Sequence, residues 1–168
     1  MAERPAEDCL TAAGTDRTAE LRSVMAERIL VLDGATGTML QSRDLGPDDF
    51  GGTELEGCNE ILVRTRPDVI LDVHRAYLAA GADIIETDTF GGTPLVLAEY
   101  GLEADARALN RLAAELAGEA AREASTPAKP RFVAGSMGPT TKAISVTGGI
   151  TFAELVWTFG EQARGLLE

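Results

Sequence analysis

Apolar and polar positions follow two rhythms along this chain. Short apolar runs at 29–32, 83–89 and 131–134 have strand length and end in polar or glycine-rich segments. Longer segments between them repeat apolar residues every three to four positions, the helical period. Leu21, Val24 and Met25 mark a helix from Asp16 to about Glu27, with Asp16 as its cap. Val69, Val73 and Tyr77 mark a second, opened by Pro67 and closed by Gly81. A short helix at 93–100 has Thr93 as cap and Pro94 in its first turn. A long helix at about 104–124 carries Leu109, Leu112, Leu116 and Ala120 on one face. The last helix opens on a T-x-x-E capping box, Thr151 and Glu154, and predicts Phe152, Val156, Phe159 and Ala163 on its buried side.

The element order is therefore β-α repeated three times. Such alternation implies an α/β fold with a parallel sheet and right-handed crossovers. Strand 29–32 reads as buried, and the Gly-, Asp- and Pro-rich connection at 41–65 reads as a functional loop or lid. Residues 1–15 lack periodicity and read as a flexible leader. Three strands leave two sheet edges open, and no strand follows the last helix. The expectation is the N-terminal part of a larger α/β domain covering 16–168.

Composition narrows the partners. A net charge of −12 repels nucleic acid and anionic membrane surfaces, so neither is an expected partner. No apolar run has transmembrane length and no signal-peptide pattern opens the chain. The two cysteines, Cys9 and Cys58, make no disulfide framework, which suits a reducing cytoplasm.

The polar strand ends carry the candidate chemistry. Segment 29–39, ILVLDGATGTM, delivers Asp33 and a glycine-rich turn to one point. If strands 29–32 and 83–89 are neighbours, their ends lie about 4.8 Å apart. Asp33 and Glu86 then converge on a volume suited to a ligand ammonium, which needs several acceptors. The alternative is that Asp33 only accepts hydrogen bonds from its own turn. The backbone N–H groups of Gly34, Ala35 and Thr36 suit a ligand carboxylate. No lysine follows, which disfavours a phosphate loop, and a tight turn without ligand is the plainer alternative. Alternation puts Glu86 and Asp88 on one side of their strand and Thr87 on the other. Thr87 and Thr89 read as solvated strand-end residues. Ser136, in the loop after the third strand, sits on the same rim and lacks the G-x-S-x-G setting of a nucleophile. His74 falls beside an apolar helix stripe and reads as a packing residue. One histidine and two separated cysteines assemble no metal site of ordinary spacing.

Four motifs in order resemble the homocysteine S-methyltransferase family: D-G-A-T-G-T-M-L-Q at 33–41, G-C-N-E-I-L at 57–62, A-G-A-D-I-I-E-T-D-T-F at 80–90 and V-A-G-S-M-G-P-T at 133–140. Their order and spacing are most similar to the homocysteine-binding domain of cobalamin-dependent methionine synthases. The resemblance implies a (β/α)8 barrel with its site at the C-terminal rim. It implies homocysteine as substrate, held by Asp33, the turn amides of Gly34, Ala35 and Thr36, and Glu86; Asp88 and Ser136 join the candidate set by their place on the same rim. It further implies a zinc-held thiolate that accepts a methyl group from methylcobalamin, with betaine or S-methylmethionine as the alternative donors. Three departures stand out. Thr36 replaces a larger residue, and Asp88 replaces the asparagine of E-T-N-T-F. The family's zinc cysteines follow later strands, so zinc ligands are expected beyond residue 168 and the isolated chain is expected to turn nothing over. Cys58 is not one of those ligands.

Overall fold

A computed structural model of the chain describes residues 16–144 and 148–168; the leader expected at 1–15, with Cys9, lies outside them. The first helix, α1 (Thr18–Glu27), begins two residues after Asp16, whose Oδ1 accepts the Thr18 N–H at 2.9 Å. It buries no residue fully.

Segment 29–32 does not become a buried strand. It pairs with one neighbour only: Val31 accepts the Asp83 N–H at 2.8 Å, Asp33 N–H donates to Ile84 at 2.9 Å, and Leu32 forms a single parallel bridge to Ile84. Ile29 is 90% exposed and Val31 55%, because no described element covers that side. What anchors the segment is the Arg28 guanidinium, forked on both Asp83 oxygens at 2.7 and 2.8 Å. That fork, with the Val31 N–H on Asp83 at 3.0 Å, holds the Asp83 carboxyl down at about 2.

The sheet proper is β1 (Ile84–Glu86) and β2 (Phe132–Ala134), parallel and in register from Ile84 opposite Phe132 to Glu86 opposite Ala134. Both strands are shorter than their apolar runs. Beyond Glu86 only the Thr87 N–H continues the ladder, to Ala134 at 3.0 Å. The spatial order is 31–33, β1, β2, the sequential order of parallel β-α units.

The connection expected as a lid is packed structure. It folds into α2 (Thr36–Gln41), α3 (Pro47–Phe50) and α4 (Leu62–Thr65), with tight 3-10 turns at 53–55 and 59–61. Leu40, Phe50, Cys58, Ile61, Leu62 and Val63 join the main core. Gly, Asp and Pro dominate its composition and hide those apolar anchors. Helix α5 (Pro67–Ala80) follows expectation, with Pro67 in its first turn and Gly81 closing it at φ +113°, where a side chain is strained.

Helix α6 (Pro94–Leu97) is capped by Thr93, which accepts the Val96 N–H at 3.3 Å. Helix α7 (Ala106–Ala124) lies across β1 and against α5. Its buried stripe is mostly alanine, with Leu109 and Asn110, so it approaches Ile85 closely. Helix α8 (Phe152–Leu167) keeps the predicted capping box: Thr151 accepts the Glu154 N–H at 3.3 Å and the Glu154 carboxylate accepts the Thr151 N–H at 2.7 Å. Its buried face differs from the predicted one. Thr158, Gln162 and Gly165 are buried, whereas Phe152 is 70% and Val156 56% exposed. Close packing on α7 decides this, since a Cβ on Gly165 would stand 2.5 Å from the Arg107 carbonyl oxygen. None of the helices among the described residues is long and apolar enough to cross a membrane.

His74 packs on α5 as expected, 1% exposed, with neither ring nitrogen hydrogen-bonded. Burial pushes its pKa down to about 4, so it is neutral in the fold. An unfolded histidine protonates near 6.5, so His74 costs stability as pH falls from there toward 4. His74→Leu is expected to raise Tm at pH 5 more than at pH 7.5, with a gain of about 1 kcal/mol at neutral pH from removing an unpaired polar group. Thermal melts across that range give the readout; an unchanged pH dependence contradicts it.

Candidate functional site

Three backbone segments end at one rim: 31–33, β1 and β2. Asp33 leaves the first segment and reaches across to the second, where its Oδ2 accepts the Glu86 N–H at 3.0 Å. Its Oδ1 is buried and has no hydrogen-bond partner among the described residues. Burial pushes the Asp33 carboxyl up to about 6, and the negative charge of Glu86 adds to the shift against the Glu86 N–H bond. Asp33 thus meets the Glu86 backbone and feels the Glu86 charge, and it keeps an open acceptor. Such a pair takes an ammonium, which brings positive charge and donors to both.

The turn after Asp33 leads directly into α2. Ala35 occupies the cap position in extended conformation, and no side chain caps the helix, so its first N–H groups face no internal acceptor. Gly34 lies under Tyr77, where an added Cβ would meet the phenol oxygen at 3.2 Å, and the Tyr77 hydroxyl donates to the Ala35 carbonyl at 3.2 Å. Tyr77 on α5 thus fixes the turn that carries Gly34, Ala35 and Thr36.

Asp88 goes elsewhere. It is 6% exposed, its Oδ2 lacks a partner, and burial raises its carboxyl well above the ordinary range, with Glu60 adding repulsion. Its titratable neighbours are the Glu60 carboxylate and the Cys58 thiol rather than Asp33. Glu60, which sequence reasoning overlooked, accepts the Gly91 N–H at 2.6 Å and ties the 57–61 segment to the loop after β1.

Thr87 and Thr89 are buried, at 3% and 2% exposure, rather than solvated. They close a ring of hydrogen bonds with Ser136. The Ser136 N–H donates to Thr87 Oγ1 at 2.9 Å, the two threonine oxygens are 2.6 Å apart, and the Thr89 hydroxyl donates to the Ser136 carbonyl at 2.8 Å. Ser136 is held by its backbone. Gln162 of α8 and Asn110 of α7, also overlooked, grip the same loops. Gln162 donates to Thr89 at 2.7 Å and Asn110 to Gly92 at 2.6 Å, both through carbonyl oxygens. The signal for Asn110 was present in the sequence: an amide inside an otherwise alanine-lined stripe. A separate cleft of about 500 Å³ between α6 and α8, lined by Leu95, Ile150 and Trp157, shares no residue with this rim.

The described residues do not fit zinc. No group of three or more His, Cys, Asp or Glu among them is placed to hold a metal ion. The Cys58 thiol is 1% exposed, and burial pushes it up to about 11, which keeps it protonated. His74 is enclosed in packing.

A family model described as homocysteine S-methyltransferase matches residues 30–168. Solved structures of the homocysteine methyltransferase MmuM from Escherichia coli are similar. The oxidised form is 29% identical, with TM-score 0.69, over 88% of this chain and 52% of that one. The metallated form is 27% identical, with TM-score 0.69, over 88% and 53%. The apo form is 28% identical, with TM-score 0.58, over 88% and 48%. The chain thus spans about half the length of these solved relatives.

Proposed function

The chain belongs to the homocysteine S-methyltransferase family, and on that premise we propose that its strand-end rim binds homocysteine for S-methylation to methionine. The observation that carries the reading is the buried, unpartnered Asp33 Oδ1 beside Glu86. In this reading Asp33 and Glu86 receive the substrate ammonium. The N–H groups of Gly34, Ala35 and Thr36 receive its carboxylate, which the uncapped start of α2 favours electrostatically. Ser136 shapes the rim through its backbone bonds to Thr87 and Thr89, and Asp88, facing Glu60, stands apart from it. The substrate sulfur then points away from the turn, toward residues that activate it and toward the methyl donor.

The described segment is read as part of a (β/α)8 barrel, on the support of the sequential parallel order of 31–33, β1 and β2. The setting is read as cytoplasmic. The order and spacing of the four motifs favour a methyl group carried on cobalamin, and the small-molecule donors are the competitors. Methionine formation from homocysteine is to be measured on the whole protein with methylcobalamin, S-methylmethionine and betaine supplied one at a time. Turnover with methylcobalamin is expected. Turnover only with a small-molecule donor overturns the cobalamin reading, and no turnover together with no calorimetric homocysteine binding overturns the function.

A further inference from the structure

Gln162 is an unexpected residue for its place. It is fully buried on α8, between Thr158 and Gly165, on a face that packs against α7. Burying an amide in such a layer is unfavourable unless its hydrogen bonds are met. Its Nε2 meets two carbonyls, Thr89 at 2.7 Å and Ser136 at 3.4 Å, while its Oε1 has no partner among the described residues. The two carbonyls belong to the loops after β1 and β2, whose backbone ladder has already ended.

Between those loops lies the ring of Thr87, Thr89 and Ser136. Its proton order follows from its donors. The Thr89 hydroxyl is spent on the Ser136 carbonyl, so the Thr87 hydroxyl donates to Thr89 Oγ1, and the Ser136 N–H donates to Thr87 Oγ1. Every donor in the ring points the same way round, an arrangement in which each bond polarises the next. Glu86 immediately precedes Thr87, and its N–H is the one Asp33 accepts. Hydrogen bonds therefore link Gln162 to Thr87, and a single peptide unit joins Thr87 to Glu86, whose N–H Asp33 accepts.

We propose that Gln162 is a positioning residue for the substrate rim: by gripping Thr89 and Ser136 it fixes the two loops whose shared ring sets the placement of Glu86 against Asp33. It touches no substrate itself. The inference rests on the homocysteine reading above for its ligand, and on the geometry alone for its effect on the loops.

The test compares two substitutions on the same helix face. Gln162→Leu keeps the bulk and removes both donors. Thr158→Val removes a buried acceptor one turn earlier, which serves Leu95 at 3.2 Å and touches neither loop. Calorimetric homocysteine affinity, Tm and amide exchange at Ser136 and Gly138 are measured on the whole protein for each. Both variants are expected to lose Tm. Gln162→Leu is expected to weaken homocysteine binding by about tenfold, the scale of two lost hydrogen bonds, and to speed exchange at both amides. Thr158→Val is expected to leave affinity within about twofold and those amides protected. Equal effects of the two variants on affinity and exchange, or affinity retained in Gln162→Leu, overturn the positioning role. A wild-type protein that binds no homocysteine overturns the substrate reading instead, and the exchange comparison then decides the positioning role by itself.

Discussion

Asp33→Asn is expected to weaken homocysteine binding by about 10- to 100-fold, the range for losing a charge-assisted hydrogen bond of about 1.5–3 kcal/mol. Asparagine retains one carbonyl oxygen for the Glu86 N–H, so the local fold has no reason to change. It lacks the charge and the second acceptor that Oδ1 offers an ammonium. The pH dependence separates this from a packing effect. With the Asp33 carboxyl at about 6, wild-type affinity falls as pH drops through that value, and the asparagine variant loses that dependence. Stability moves in the opposite direction. A carboxyl raised in the fold contributes stability that is present below about 4 and lost as pH rises through about 6. The variant is therefore expected to be the more stable protein above pH 6 and no more stable at pH 4. The Asp33 residue is only partly buried, so the gain is about 1 kcal/mol, or roughly 2–4 °C in Tm. Calorimetry and melts on the same samples give both numbers. An affinity that asparagine leaves unchanged removes Asp33 from the site.

That trade is legible because Asp33 was legible. A carboxylate at the end of an apolar run, followed by Gly34 and Gly37, announces itself in one dimension, and so does Glu86 after Ile84 and Ile85. The helices announced their ends through Pro67, Gly81, Thr93 and the Thr151–Glu154 box, because capping is a local matter of backbone donors and acceptors. What stayed hidden was set by contacts distant in sequence. Thr87 and Thr89 look solvated until Ser136 is brought 2.9 and 2.8 Å from their hydroxyls across 49 and 47 positions. The buried face of α8 looks like the apolar one, Phe152 and Val156. Yet Gly165 and Gln162 face α7, because the small and the amide-bearing side allows close approach and meets the orphan carbonyls. Segment 29–32 has the composition of a buried strand, but composition does not supply the neighbours that bury it. The 41–65 connection shows the reverse. Its apolar anchors are spaced irregularly among Gly, Asp and Pro, so no period reveals them, though Leu62 is fully buried.

Asp88→Asn is expected to stabilise the protein at neutral and alkaline pH and to flatten its pH profile. Asp88 stands where the resemblance leads one to expect asparagine, and its surroundings suit an amide. The side chain is 6% exposed, its Oδ2 has no partner, and the groups that face it are Glu60 and the Cys58 thiol, neither of them a cation. Glu60 is itself committed to the Gly91 N–H. Burial first and Glu60 second hold the Asp88 carboxyl well above the ordinary carboxylate range, so the fold favours its neutral form. An unfolded aspartate ionises near 3.9. The stability gained from the neutral form is therefore present below pH 4 and lost as pH rises through the elevated value. Asparagine keeps the neutral shape at every pH and adds donors where the carboxylate has none. The expected gain at pH 8 is about 1–3 kcal/mol, the cost of a buried group left unsatisfied, and it shrinks toward zero near pH 4. Denaturant unfolding at pH 4, 6 and 8 measures it. A gain that is the same at all three values means Asp88 carries no proton the fold depends on. A loss at pH 8 means its carboxylate is paired with a cation. With the predicted slope, Asp88 is a carboxyl that must stay protonated where an amide would be neutral at every pH, and the loop between β1 and α6 is then tightest at low pH.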